Sequence, residues 1–103
     1  MKNTNCKSAT PDIDFSEAII LIANRCYTDV LFANGERTVL TNHLGHIEKL
    51  LPESNFFRCH IKYLVNRRYI VSIDAVRKHI QLSNNQKIPI SHRKLPELIN
   101  WYF

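Results

Sequence analysis

The side chains able to do chemistry in this chain are three cysteines, five histidines and an uneven set of cations. Cys6, Cys26 and Cys59 are odd in number and show no CxxC spacing, so neither a disulfide framework nor a cysteine zinc site follows from them. His43, His46, His60, His79 and His92 are scattered. Only His43 and His46 stand at i, i+3, and two imidazoles on one helix face still lack a third and a fourth ligand. No metal and no cofactor is expected. The two glycines, Gly35 and Gly45, cannot make a GxGxxG or GxxxxGK[ST] phosphate loop. The acids are dispersed and no Ser, His and Asp arrangement suggests itself, so the chain is read as a non-enzyme.

The cations are more informative. Lys plus Arg number 14 against 9 Asp plus Glu, a formal +5. Within residues 58–94 stand Arg58, Lys62, Arg67, Arg68, Arg77, Lys78, Lys87, Arg93 and Lys94, with Asp74 the sole acid. That stretch carries +8, which leaves −3 for the rest (+5 less +8). Segregated charge focuses a potential that captures polyanions, and nucleic acid is the leading partner. An anionic membrane surface would call for a basic amphipathic helix, whereas this stretch is patterned as strands. No apolar run reaches the roughly 18 residues of a membrane span. The opening MKNTNCKSAT lacks the apolar centre of a signal peptide, so a cytoplasmic protein with no membrane partner is expected.

The elements that must position these residues are short. Residues 1–14 read as a polar leader or an edge segment and 15–103 as one domain. The spacing predicts strands over Glu17–Asn24, Tyr27–Ala33 and Glu36–Thr41, the last two joined by Asn34-Gly35 in a type I′ turn. A helix over 43–51 is expected, capped by Asn42, with Leu44, Ile47, Leu50 and Leu51 as its core stripe and Pro52 as its stop. Further strands are predicted over Phe56–Val65 (a broken one), Tyr69–Asp74, Val76–Leu82 and Lys87–Ser91, with Ser83-Asn84-Asn85 as a turn. Pro89 places the last of them at an edge. A short terminal helix from about Pro96 completes a mainly β, antiparallel domain. No helix-turn-helix can be drawn, so a duplex would have to be read by loops and strand ends.

At this point the chain resembles a known family. Phe57-Arg58-Cys59-His60-Ile61-Lys62-Tyr63-Leu64-Val65-Asn66 resembles the F-x-R-x-H-R-S-[YF]-x-V-N signature of the LytTR DNA-binding domain. Asn34-Gly35 matches the family's hairpin, and Leu44-x-x-Ile47-x-x-Leu50-Leu51-Pro52 its helix. Ile88-Pro89-Ile90-Ser91-His92-Arg93 matches its closing I-P-V-S-R-R. The likeness spans roughly residues 15–100 and implies an elongated set of small antiparallel sheets whose loops enter successive major grooves. It implies a transcription regulator that binds double-stranded DNA, of the kind found in bacterial response regulators. Carried over, the base-contacting positions are Arg25, Tyr27, Ile61 and Arg93; the cations Arg58, Lys62, Arg67, Arg68 and Lys94, with His92, are read as phosphate contacts beside them. Arg93 is the leading candidate for direct readout, since a guanidinium can donate twice to guanine.

The family's H-R-S is His60-Ile61-Lys62 here. Ile61 could touch only a thymine methyl or pack inward, while Lys62 suits a phosphate. Family members usually carry a receiver domain or membrane segments ahead of this module, and with neither in this chain no phosphorylation control within it is expected. His60 is read either as a strand residue orienting the loop or as a base reader. Asn66 is either a turn residue of left-handed backbone or a DNA contact. Trp101-Tyr102-Phe103 must be buried or be a contact surface. A second copy on tandem sites or a partner regulator is a further expected partner. The rival function is a protein-interaction or inhibitory module that has lost sequence reading.

Overall fold

The computed structural model describes Cys6–Lys7 and residues 14–103. Among the described residues nine strands and two α-helices follow one another: β1 Cys6–Lys7, β2 Ala18–Asn24, β3 Tyr27–Phe32, β4 Arg37–Leu40, α1 Leu44–Glu48, β5 Phe56–His60, β6 Tyr63–Asn66, β7 Ile70–Asp74, β8 His79–Leu82, β9 Lys87–Pro89 and α2 Leu95–Tyr102. The protein is mainly β and elongated, 43 × 24 × 23 Å. A six-stranded sheet runs β1-β4-β3-β2-β6-β5 and a three-stranded one β7-β8-β9. All pairings are antiparallel except β1 with β4. The rest of the expected leader lies outside the described residues.

Period-two alternation divides the core. Leu21 and Leu64 join Phe15, Val30, Leu40, Leu44, Ile47, Leu51 and Phe56 on one face, under α1. Ile20 and Val65, their neighbours in the chain, join Cys59, Ile70, Ile80, Leu82, Ile88, Ile90 and Leu98 on the other, which ties the small sheet and α2 to the large one. The central strands β2 and β6 are therefore apolar on both faces. That is why EAIILIAN reads as a continuous apolar run.

Several elements differ from expectation, each for a local reason. The helix is Leu44–Glu48, and His43 holds its N-cap without a side-chain bond. The expected cap residue Asn42 lies one position too early, and its carbonyl accepts from the Thr28 hydroxyl at 2.8 Å. Beyond Glu48 the chain tightens, with Leu50 and Leu51 N–H groups donating to Ile47 and Glu48 carbonyls. This three-residue turn rotates Leu50 off the core, 54% exposed, and Leu51 into it. Phe56–Val65 is not one broken strand but the β5–β6 hairpin with Ile61-Lys62 at its tip. β8 begins at His79, because Asp74 Oδ1 accepts from the Val76 and Arg77 N–H groups and closes a turn before it.

The β3–β4 turn is not type I′, since Gly35 has φ 91° while Asn34 is not left-handed. Gly35 N–H donates to Phe32 O and Phe32 N–H to Glu36 O, the signature of a type I turn closed by a left-handed residue. The β8–β9 turn repeats it bond for bond. Asn85 (φ 70°) stands where Gly35 does, donating to Leu82 O while Leu82 donates to Gln86 O. Asn34 and Asn84 each accept from the N–H two residues on. Asparagine serves there because its side chain eases the left-handed cost. Pro89 lies on an edge strand, as a residue without an N–H requires.

Candidate nucleic-acid interface

Strand register decides which loops share an end of the molecule. Ile22 pairs with Tyr63, and one step further the Ala23 N–H donates to Lys62 O at 2.8 Å. The β2–β3 tip, Arg25-Cys26, and the β5–β6 tip, Ile61-Lys62, therefore lie side by side. Ser91 N–H donates to Cys59 O at 2.8 Å, which brings the turn His92–Lys94 to the same end of β5. A cleft of about 490 Å³ there is lined by Glu48, Arg58, His60, Ile61, Ser91, Arg93 and Lys94. Ile90 N–H donates to Lys78 O at 2.9 Å, so the β7–β8 turn with Arg77 and Lys78 joins this end too.

The tips are held by the protein while their side chains face outward. Arg58 Nε and Nη2 donate to Ile61 O at 3.2 and 2.6 Å, and Nη1 donates to Glu48 Oε1 at 2.8 Å. One guanidinium thus fastens the β5–β6 tip to α1, with two of its five N–H groups left over. His60 Nδ1 accepts from the Lys62 N–H at 3.2 Å, which places it as an orienter of the tip. Ile61 is 76% exposed and Tyr27 47%. Among the described residues, no hydrogen bond or ion pair engages the side chains of Arg25, Lys62, His92 or Arg93, whereas Lys94 approaches Glu97 at 3.8 Å. Arg25 is left-handed at φ 58°. Primed hairpin turns demand this of their first residue, at about 1–2 kcal/mol for a side chain with a Cβ.

Two of the expected phosphate residues stand elsewhere. Asn66 ends β6 at the far end of the hairpin, and the Arg67 N–H donates to Asn55 O, next to the start of β5. Arg67 stacks on Trp101 and Tyr102, 5.7 Å from each ring centre, and donates to Tyr102 O at 2.7 Å. Arg68 pairs with Glu17 at 3.1 Å and lies over Tyr69. They line a second cleft of about 680 Å³ with Ser16, Asn55, Asn66, Ile70 and Tyr102. Lys62 and Arg67 are five residues apart along an extended strand, roughly 16 Å.

The other open questions of the sequence close at this stage. Asn66 is extended (φ −94°) and 3% exposed, so it is neither a left-handed turn residue nor a surface group. Cys59 is fully buried, and burial pushes its thiol up to about 12, a protonated packing residue. Trp101 packs on Phe57 and donates its indole N–H to Glu53 O at 2.7 Å, while Phe103 is 83% exposed. Among the described residues no three His, Cys, Asp or Glu side chains gather as a metal set, and no helix is long and apolar enough to cross a membrane.

A family model described as the LytTr DNA-binding domain matches residues 9–102. The chain is also similar to the solved LytTr DNA-binding domain of a protein described as a methyl-accepting/DNA response regulator from Bacillus cereus. That likeness has a TM-score of 0.77 and 25% identity, covering 91% of this chain and 92% of that one. No curated protein matches the chain significantly.

Proposed function

Because the chain belongs to the LytTr DNA-binding domain family, a family of DNA-binding domains and not of enzymes, we propose that it is a sequence-specific transcription regulator acting on double-stranded DNA in the cytoplasm. The observation that carries this is the convergence of Arg25, Lys62 and Arg93, none with an internal partner among the described residues, on loops at one end of a β scaffold. Lys62, His92, Lys94 and the free edge of Arg58 would hold phosphates, releasing counterions. Arg93, Arg25 and Tyr27 would meet base edges, and exposed Ile61 would lie against a thymine methyl. Arg67 and Arg68, at the other end, could reach only backbone further along the duplex. Copies on tandem sites would gain by effective concentration.

The test is selection from a random oligonucleotide pool followed by titration of the selected and a random duplex against salt. A selected site bound at least about 10³-fold tighter, with affinity falling steeply as salt rises, supports the reading. Absence of duplex binding at any salt, with salt-insensitive capture of another regulator, would establish the interaction module instead.

Two variants probe individual tips. Lys62→Ala should weaken selected and random duplexes alike and lower the salt slope by about one. The tip backbone survives that change, being held by His60, Arg58 and Ala23. Arg25→Gly should leave the urea midpoint unchanged or slightly raised, because relief of the left-handed cost offsets about 0.5–1 kcal/mol of glycine entropy. Its affinity for DNA should nonetheless fall about fivefold or more, the loss of one phosphate-strength contact near 0.15 M salt. If the midpoint drops in parallel with affinity, Arg25 is part of the scaffold and not of the interface.

A further inference from the structure

The β7–β8 turn, residues 75–78, is the stretch at the cationic end to which the family signature assigns no part. Its chain is fixed from within. Asp74 Oδ1 accepts from the Val76 and Arg77 N–H groups at 3.0 and 2.9 Å, Lys78 is left-handed at φ 56°, and Lys78 O takes the Ile90 N–H at 2.9 Å. That last bond seats the turn next to the residue leading into Ser91, His92 and Arg93. Its cations do not hold it. Arg77 is 76% exposed and only approaches Asp74, at 4.0 Å, and among the described residues nothing engages the Lys78 ammonium. With the main chain already fixed, exposed Arg77 and half-buried Lys78 would meet an anion without any loop to order, at the cost of side-chain freedom alone.

We propose that this turn is a fourth DNA-contacting loop, in which Arg77 and Lys78 take backbone phosphates flanking the position of Arg93. The inference rests on the duplex-binding reading above. Its occupant is the phosphate chain and not a base edge, because the other exposed side chains of the turn, Ala75 and Val76 (the latter 89% exposed), have no hydrogen bond to offer. The loop therefore contributes affinity and orientation without sequence information.

The double variant Arg77→Gln/Lys78→Asn keeps the turn, since Asp74 and the main chain hold it and asparagine accepts left-handed backbone. Its salt slope on selected and random duplexes should be shallower by about 1.8, about 0.9 for each phosphate, with affinity lower about 30-fold near 0.15 M salt on both. Lys87→Gln, at the opposite end of β9, should stay within about twofold of wild type. An unchanged slope in the double variant, a loss confined to the selected duplex, or an equal loss in Lys87→Gln would each overturn the fourth loop. Wild-type protein that binds no duplex would overturn the underlying reading together with it.

Discussion

Asn66→Ala should cost about 2–3 kcal/mol of stability, a drop of ten degrees or more in Tm for a chain of this size. The amide sits where the tight turn Arg67–Tyr69, β2 and β6 meet, and it is 3% exposed. Its Nδ2 donates to Ala18 O at 2.8 Å and to Ser16 O at 3.3 Å, and its Oδ1 accepts from the Arg68 N–H at 3.0 Å. Removing it takes away three bonds and leaves the Ala18 carbonyl and the Arg68 N–H without the side-chain partner that satisfies them. Asn66→Asp keeps the shape and the bond from Arg68 but sets a carboxylate against two carbonyls. It should therefore destabilise at least as much as alanine at neutral pH and recover part of the loss in acid, where the new carboxyl can donate. Urea unfolding with an unchanged m-value reads both. A loss below about 0.5 kcal/mol for Asn66→Ala would mean that the segment 14–18 is held without the amide.

That role was not legible in the sequence because it joins positions some fifty residues apart. Asn66 before two arginines advertises a turn, and only the pairing of β6 with β2 shows that the turn is roofed by Ser16 and Ala18. The strands themselves were legible wherever one or both faces are apolar, as in β2 and β3, since burial imprints its period on the chain. Boundaries failed where a side chain closes a turn. Asp74 captures the Val76 and Arg77 N–H groups and so delays the start of β8 from Val76 to His79, and no hydropathy pattern records that. Charge counting found the cationic stretch but could not divide it. β6 carries the chain from Lys62 at one end to Arg67 at the other, so a contiguous run in sequence becomes two clusters in space. Arg77 and Lys78 are brought next to the segment leading to Arg93 by the bond from the Ile90 N–H to Lys78 O.

Arg93→Ala should separate affinity from selectivity. The segment Ser91–Lys94 is anchored by main chain, with the Ser91 N–H on Cys59 O and the Lys94 N–H on Ser91 O, so truncating Arg93 removes a guanidinium without moving the loop. The guanidinium shares a cleft with Ile61 and with Arg58, which is already committed to Glu48 and the Ile61 carbonyl. Of these two arginines it is therefore Arg93 whose full planar fork remains for a base edge. Bidentate donation to guanine discriminates by about 1–3 kcal/mol, so binding to the selected duplex should fall about 5- to 150-fold further than binding to the random one. Arg93→Lys sharpens the result: an ammonium restores charge but not the fork, so random binding should return towards wild type while selectivity stays lost. Equal losses on both duplexes, repaired by lysine on both, would make Arg93 a phosphate ligand and move base reading to the β2–β3 tip. There the left-handed Arg25 would be the remaining guanidinium free of internal partners among the loops the family signature assigns to base contact.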